Sequence, residues 1–298
     1  MIRGMTTTVV GSMPVQPSRA ALANSYRTHE DPFISALEES VSIQLSAGVE
    51  IVSDGQTRDT MVSLFAKHLR GVRMKERPVV IGDISWKEPI TLTDAKHARS
   101  LLPRGVMLKG IVTGPCTMAM GMLDQHYHEP AELTMALAHA LNLEAKAIER
   151  FVDLLQFDEP YLSIEYPEFA REVIAKLRAG LTKPVALHVC GDVSKIFPEL
   201  AEMPVDILDH ECSANPGLVE VIKECAPRQM IGYGCVRSDD PRVESIEEIA
   251  ARIRRGVEAL GSERILIDPD CGLRNLPLES AVGKLRNMVL AREEVRLG

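Results

Sequence analysis

Residues Ala186 to Val193 read ALHVCGDV. His188 and Cys190 lie two apart at the end of a short apolar run. If that run is a strand, both side chains project from the same face, because strand side chains alternate. An imidazole and a thiolate so placed suit one borderline or soft metal ion, zinc above all. Gly191 and Asp192 stop the run at once, so the pair would stand at a strand's C-terminal tip. Two ligands do not complete a zinc site, but two later run ends offer more: DHEC at 209–212 and DPDCGL at 268–273. Cys271 would add a second thiolate, followed by Gly272, which is expected to free the chain to turn. A carboxylate, Glu211, would close a tetrahedral set. Glu211 and Cys212 alternate, so only one faces inward, and His210 is a third choice. Two thiolates and a carboxylate leave a zinc centre anionic, which favours holding a substrate thiol as a nucleophilic thiolate over polarising a carbonyl. The remaining cysteines carry less chemistry. Cys225 and Cys116 are expected to pack, Cys235 is left open, and the His126-Tyr127-His128 triplet is expected on a solvated surface.

Residues so far apart in the chain can meet only if the fold gathers strand ends. Eight short β-branched or apolar runs recur along the sequence: 6–12, 49–55, 106–114, 154–160, 185–191, 206–212, 230–236 and 264–272. Between them lie stretches of helical period. In SIEEIAARIRRGVEAL, for example, Ile246, Ile249, Ala250, Ile253, Val257 and Leu260 fall on one stripe, and Ser245 with Glu248 forms a capping box. Eight strand–helix units predict a (β/α)8 TIM barrel spanning 1–298 as a single domain, with a β-rich insertion over 75–93 before the third strand. In such a barrel Ser12, Asp54, Gln56, Asp158, Glu159, His188, Cys190, Glu211, Cys235, Arg237 and Cys271 share one rim. No GxGxxG follows the first run, and its GSMPVQP continuation cannot open a dinucleotide-binding helix.

Composition narrows the function classes. The chain's 34 basic residues are outweighed by 42 acidic ones, for a net charge of -8, and no basic cluster could neutralise a row of phosphates. Nucleic acid is therefore not an expected partner. No apolar stretch approaches the roughly 20 residues of a membrane span, and the N-terminus lacks a secretory apolar core. The six cysteines are then expected in a reducing cytoplasm, where metal or catalytic roles outrank disulfides.

In order along the chain, TTTVVGSMP, SDGQTRDTMV, LKGIVTGPCTMA, QFDEP, LHVCGD, LDHEC, IGYGCVRS and IDPDCGL resemble the C-terminal catalytic barrel of cobalamin-independent methionine synthase, especially its short archaeal-type, single-barrel members. The resemblance implies a (β/α)8 barrel with zinc held by His188, Cys190, Glu211 and Cys271 and a homocysteine thiol as methyl acceptor. It also implies that Gly11 and Ser12 receive the amino acid's carboxylate and Asp158 its ammonium, with Gln56 near the substrate. Three departures fall on the donor side. Gln56 stands where the family has a substrate-binding glutamate, Gly121 where it has a tryptophan flanking the folate, and Arg237 where it has the histidine that protonates the folate leaving group. The catalytic assignments thus rest on Asp158 and Arg237. Because Co(I) leaves without a proton whereas a tertiary amine needs one, the expected donor is a methylcorrinoid carried by a partner protein. HVCGD also resembles the uroporphyrinogen decarboxylase-related zinc methyltransferases, which act on coenzyme M. A non-catalytic zinc subunit of a corrinoid complex is the reading from another class.

Overall fold

The structure is a computed structural model that describes residues 2–297. Its strands are β1 (Ile51–Val52), β2 (Leu69–Arg73), β3 (Val79–Trp86), β4 (Met107–Thr113), β5 (Leu123–Asp124), β6 (Leu154–Asp158), β7 (Val185–Val189), β8 (Ile207–His210), β9 (Met230–Val236) and β10 (Ile265–Pro269). The helices are α1 (Arg19–Thr28), α2 (Ile34–Ala47), α3 (Met61–Ala66), α4 (Leu92–Leu101), α5 (Pro115–Gly121), α6 (Pro130–Ile148), α7 (Ala170–Arg178), α8 (Phe197–Leu200), α9 (Leu218–Cys225), α10 (Ile246–Leu260) and α11 (Leu278–Leu297).

Seven strands pair in parallel in the order β1-β4-β6-β7-β8-β9-β10. The first run of the sequence closes the ring. Thr7 bridges Ile267 and Thr8 bridges Ile51, both in parallel. On one side Thr8 N donates to Ile267 O (2.8 Å), and on the other Ile51 N donates to Thr7 O (3.0 Å). Two of the eight expected strands shrink most, the run at 6–12 to bridges at Thr7 and Thr8 and the run at 49–55 to the two residues of β1. That at 49–55 stops at Val52 because the Gln44 side chain takes over the role of a neighbouring strand, accepting from Ser53 N (2.8 Å) and donating to Ser53 O (3.1 Å). The capping box at Ser245 and Glu248 forms as expected at the head of α10.

The β-rich insertion is present but starts earlier than residue 75. β2 and β3 form an antiparallel hairpin, β5 adds a short parallel strand, and the tail of the expected segment turns into α4 at Leu92. Glu144 of α6 anchors this excursion. Its buried carboxylate accepts from Trp86 Nε1 (3.0 Å), Ile90 N (2.8 Å) and the Thr91 backbone (2.8 Å) and hydroxyl (2.9 Å).

Alternation sorts the barrel interior into layers, as packed barrels require. The floor is apolar: Ile51, Met107, Leu154, Ala186, Ile207, Met230 and Leu266, one from each strand. Two residues further along the same strands the layer becomes polar and buried, with Lys109, Gln156, His188, Asp209 and Asp268. Two residues beyond that lie Asp158, Cys190 and Glu211, at the mouth.

Outside the ring, a second buried charge cluster ties the end of β9 to α10 and α11. Lys284 Nζ lies 2.5 Å from Glu244 Oε2, with both side chains essentially inaccessible. Glu244 Oε1 also accepts from Arg237 N (2.8 Å) and Arg252 Nη1 (3.2 Å). Removing one partner of such a pair strands a buried charge, whereas removing both does not. Lys284→Met is therefore expected to cost about 3 to 5 kcal/mol in urea unfolding, with a large part recovered by adding Glu244→Gln. Additive losses in the double variant would show that the pair is not coupled.

Candidate metal centre and active site

The three soft donors expected from the sequence converge. One ligand atom each from His188, Cys190 and Cys271 lie within 4.8 Å of one another. His188 Nε2 is 3.1 Å from Cys190 Sγ, and Cys190 Sγ is 3.2 Å from Cys271 Sγ. Parity explains the first two, since β7 turns Ala186 and His188 inward and Cys190 follows its end at the same parity. Cys271 arrives two residues after the last strand. Gly272 serves there differently from the expected turn: its φ is not left-handed, and what it supplies is space, since a Cβ would fall 2.2 Å from Ser12 Oγ. The first and last strand–loop junctions can therefore close over the sulfurs.

Burial and charge act strongly on this trio. The hydrogen bond between the sulfurs pulls Cys271 far below the ordinary thiol range against the effect of its burial, and the same bond together with burial pushes Cys190 up. Burial by itself would depress His188, but the charges of Cys190 and Asp209 hold it well above its ordinary value. One imidazole and two thiols brought together are the donor chemistry that zinc takes, so the residues present fit that ion. Glu211, the expected fourth ligand, stands outside the tight trio. Its half-buried carboxylate sits by the Gly191 amide and close enough to Cys271 to feel its charge, and burial raises its pKa. His210 is not a competitor: its Nδ1 lies 3.1 Å from Val189 O and its ring packs edge-on to Phe197. Cys212 and Cys235 are buried and face outward from the ring, with their thiols pushed well up by burial.

The trio floors a cavity of about 340 Å³ that is also lined by Ser12, Gln56 and Asp158. Six expected site residues therefore share one space. Asp158 is almost fully buried, and desolvation pushes its carboxyl up to about 6 against the opposing pull of His188 and of a hydrogen bond from Gln156. Gly11 sits behind Ser12, its carbonyl accepting from Ser53 Oγ (2.6 Å), and a Cβ there would strike Ile111 and Gln56. Gln56 has a positive φ of 46° and is held from outside by Arg274, which donates to the Gln56 carbonyl. Glu159 points away, as alternation required. Its carboxylate accepts from Cys116 N (2.9 Å) and from Thr117 N and Oγ1 (both 2.7 Å), and so caps α5. Arg237 is not among the residues lining the cavity. Its guanidinium is paired with Asp239 at the rim, at 2.7 and 2.6 Å. A larger hollow of about 540 Å³ opens between α5, α6 and the 124–130 loop and contains none of the expected site residues.

Comparison with known proteins bears on what such a site does. Residues 5–294 match the model of a family described as cobalamin-independent synthase, catalytic domain. The chain belongs to the cobalamin-independent methionine synthase family. It is accordingly a methyltransferase of the methionine synthase type. A methionine synthase of Methanocaldococcus jannaschii is 37% identical, over 98% of this chain and all of that protein. A Campylobacter jejuni 5-methyltetrahydropteroyltriglutamate–homocysteine methyltransferase is 27% identical, but the match spans only 43% of its length. Among solved structures, a B12-independent methionine synthase from a Shewanella species, in complex with selenomethionine, superposes with a TM-score of 0.84 at 26% identity, covering 99% of this chain and 98% of that one.

Sequence reasoning missed the residues beneath this methyltransferase's ligands. Asp209 Oδ1 lies 3.2 Å from His188 Nδ1, and Asp268, whose carboxyl is pushed far up by burial and by the charge of Asp209, has no hydrogen-bond partner for either oxygen among the described residues. Their signal was available: Lys109, Gln156, Asp209 and Asp268 are polar residues at inward parity within apolar runs. Arg274 was also overlooked. It lines the cavity, and its buried Nε has no partner among the described residues.

An acceptor on Nδ1 fixes the imidazole and leaves Nε2 free for a metal, and loss of such support typically costs 10- to 100-fold in metal affinity. Asp209 has room for this role because residue 232 is glycine; a Cβ there would lie 2.7 Å from the Asp209 carboxyl carbon and 3.0 Å from its Cα. Gly232→Ala is thus expected to weaken zinc binding about 10- to 100-fold in competition with a chromophoric chelator. Unchanged affinity would show that Asp209 does not orient His188.

Proposed function

We propose that this enzyme transfers a methyl group to the thiol of homocysteine with the help of one zinc ion held by His188, Cys190, Cys271 and Glu211. The observation that carries the reading is the shared cavity: an imidazole, two thiols and a buried carboxylate, Asp158, line one space with room for a small amino acid. Bound zinc would lower the pKa of the substrate thiol, so that the attacking species is available at neutral pH. The rest is the work of the chain. Asp158 pairs with the substrate's ammonium, a use for a carboxylate that burial otherwise disfavours. Ser12 and the backbone at Gly11 receive the substrate's carboxylate, with the Arg274 cation and Gln56 alongside. Phe65, Leu64 and Met61 wall the cavity and limit water around the sulfur. In the transfer the sulfur electron pair forms the S–CH3 bond, and the donor's leaving atom departs with the electrons of the bond it loses.

That leaving atom defines the donor. A tertiary amine must be protonated as it leaves, yet Arg237, at the family's acid position, is locked to Asp239, whose hydrogen bonds hold its guanidinium firmly protonated. On this ground the donor is a methylcorrinoid, presented by a partner protein as substrate and not as a resident cofactor. A second reading, a methylated pteroylglutamate, is favoured by the name of the Campylobacter relatives. The free thiols of the centre suit a reducing, cytoplasmic setting.

Zinc-loaded protein assayed anaerobically with homocysteine is expected to use methylcobalamin; turnover with methyltetrahydropteroyltriglutamate alone would establish the second reading. Cys271→Ala is expected to lose both bound metal and activity, by more than the roughly 100-fold that loss of an outer partner costs. Asp158→Asn is expected to raise KM for homocysteine about 30-fold or more while the metal is retained. If it leaves homocysteine kinetics intact and coenzyme M is the better acceptor, the thiol assignment is wrong.

A further inference from the structure

Below the cavity the polar layer of the barrel forms a continuous chain of contacts that links the floor of the metal centre to Asp158. Lys109 enters it from β4 with only 3% of its surface exposed. Its Nζ donates to Val9 O and to Gln156 Oε1, both at 2.6 Å, and lies 4.0 Å from Asp209 Oδ2. An ammonium can only donate, so Gln156 must present its carbonyl oxygen to Lys109 and its amide NH2 in the opposite direction. There Nε2 donates to Val10 O (2.7 Å) and to Asp158 Oδ1 (2.8 Å). Flipping the amide would place an NH2 group against an ammonium on one side and an oxygen against a carboxylate on the other. Burial makes each of those contacts costly.

We propose that Lys109 and Gln156 are positioning residues for amino-acid recognition: the lysine locks the glutamine amide, and the amide aims Asp158 by holding Oδ1, leaving Oδ2 to the substrate's ammonium. This rests on Asp158 being the ammonium's partner. It adds two residues that touch neither substrate nor metal but decide how well that partner works. The relay acts on the α-amino end of the substrate and not on its sulfur. Its signature is therefore discrimination between homocysteine and the same thiol without the amino group, 4-mercaptobutanoate.

Calorimetric titration of the zinc-loaded protein with both thiols tests this. Gln156→Glu keeps a partner for Lys109 but turns an oxygen toward Asp158, and Gln156→Met removes the amide at similar volume. Each is expected to weaken homocysteine binding about 10- to 100-fold, as for loss of a hydrogen bond to a charged group, and to leave 4-mercaptobutanoate within about twofold. Lys109→Met should act in the same direction. Equal weakening of both thiols would assign Gln156 a merely structural role and overturn the proposal, as would unchanged homocysteine binding in a folded Gln156→Met protein. Asp158→Asn separates this from failure of the underlying reading. If Asp158→Asn does not diminish the preference for homocysteine, the ammonium site lies elsewhere and both ideas fall. If it does and the Gln156 variants do not, only the relay is overturned.

Discussion

The inside of a closed parallel barrel is a packed core, so a polar side chain that alternation turns inward needs a hydrogen-bonding or charged partner there. That constraint governs this protein. Its floor obeys the ordinary rule with seven apolar residues, one from each strand. One step up, five strands turn Lys109, Gln156, His188, Asp209 and Asp268 into the same packed space. The first four are tolerable there because each meets another, while burial and the charge of Asp209 push the Asp268 carboxyl up. A group isolated in that layer would cost several kcal/mol, so the layer stands or falls as a set.

The mouth inherits its geometry from this layer. His188 is presented with one nitrogen committed downward to Asp209, which leaves the other beside the sulfurs. Asp158 is held by one oxygen from below and faces the cavity with the other. The metal-capable trio and the ammonium-capable carboxylate are thus not independent additions to a scaffold. They are the upper ends of side-chain stacks whose lower ends are wired to each other through Lys109. Glu159 shows the complementary case. The neighbouring carboxylate, just past the end of β6 and at the opposite parity, caps α5 instead.

The ring as a whole was legible because eight runs of strand type alternate with helical periods, and the rim residues followed from strand-end placement. Where the reading slipped, side chains had replaced backbone pairing. Gln44 cut the second strand short at Ser53, and Glu144 carried the insertion from β3 into α4 along a path that no periodicity encodes. Arg237 shows the limit of position. It stands at a strand end like the others, but Asp239, two residues on, draws it to the rim. Lys109 and Gln156 were visible as polar residues at inward parity. Within single runs such residues read as interruptions of an apolar pattern, and only their mutual contact gives them a meaning.

By itself, then, the sequence determined which residues face the barrel axis, since a period of two admits no other outcome once the strands are placed, and it determined the family through an ordered set of motifs. The tertiary structure alone decided which of those inward residues meet. Sulfur-to-sulfur contact between Cys190 and Cys271, 81 positions apart, depends on ring closure by Thr7 and Thr8 and on the missing Cβ of Gly272. The orientation of Gln156 likewise depends on a lysine from another strand. Distances of a few ångströms between side chains on different strands are set by register, twist and packing around the whole ring, and no local stretch of chain contains that information.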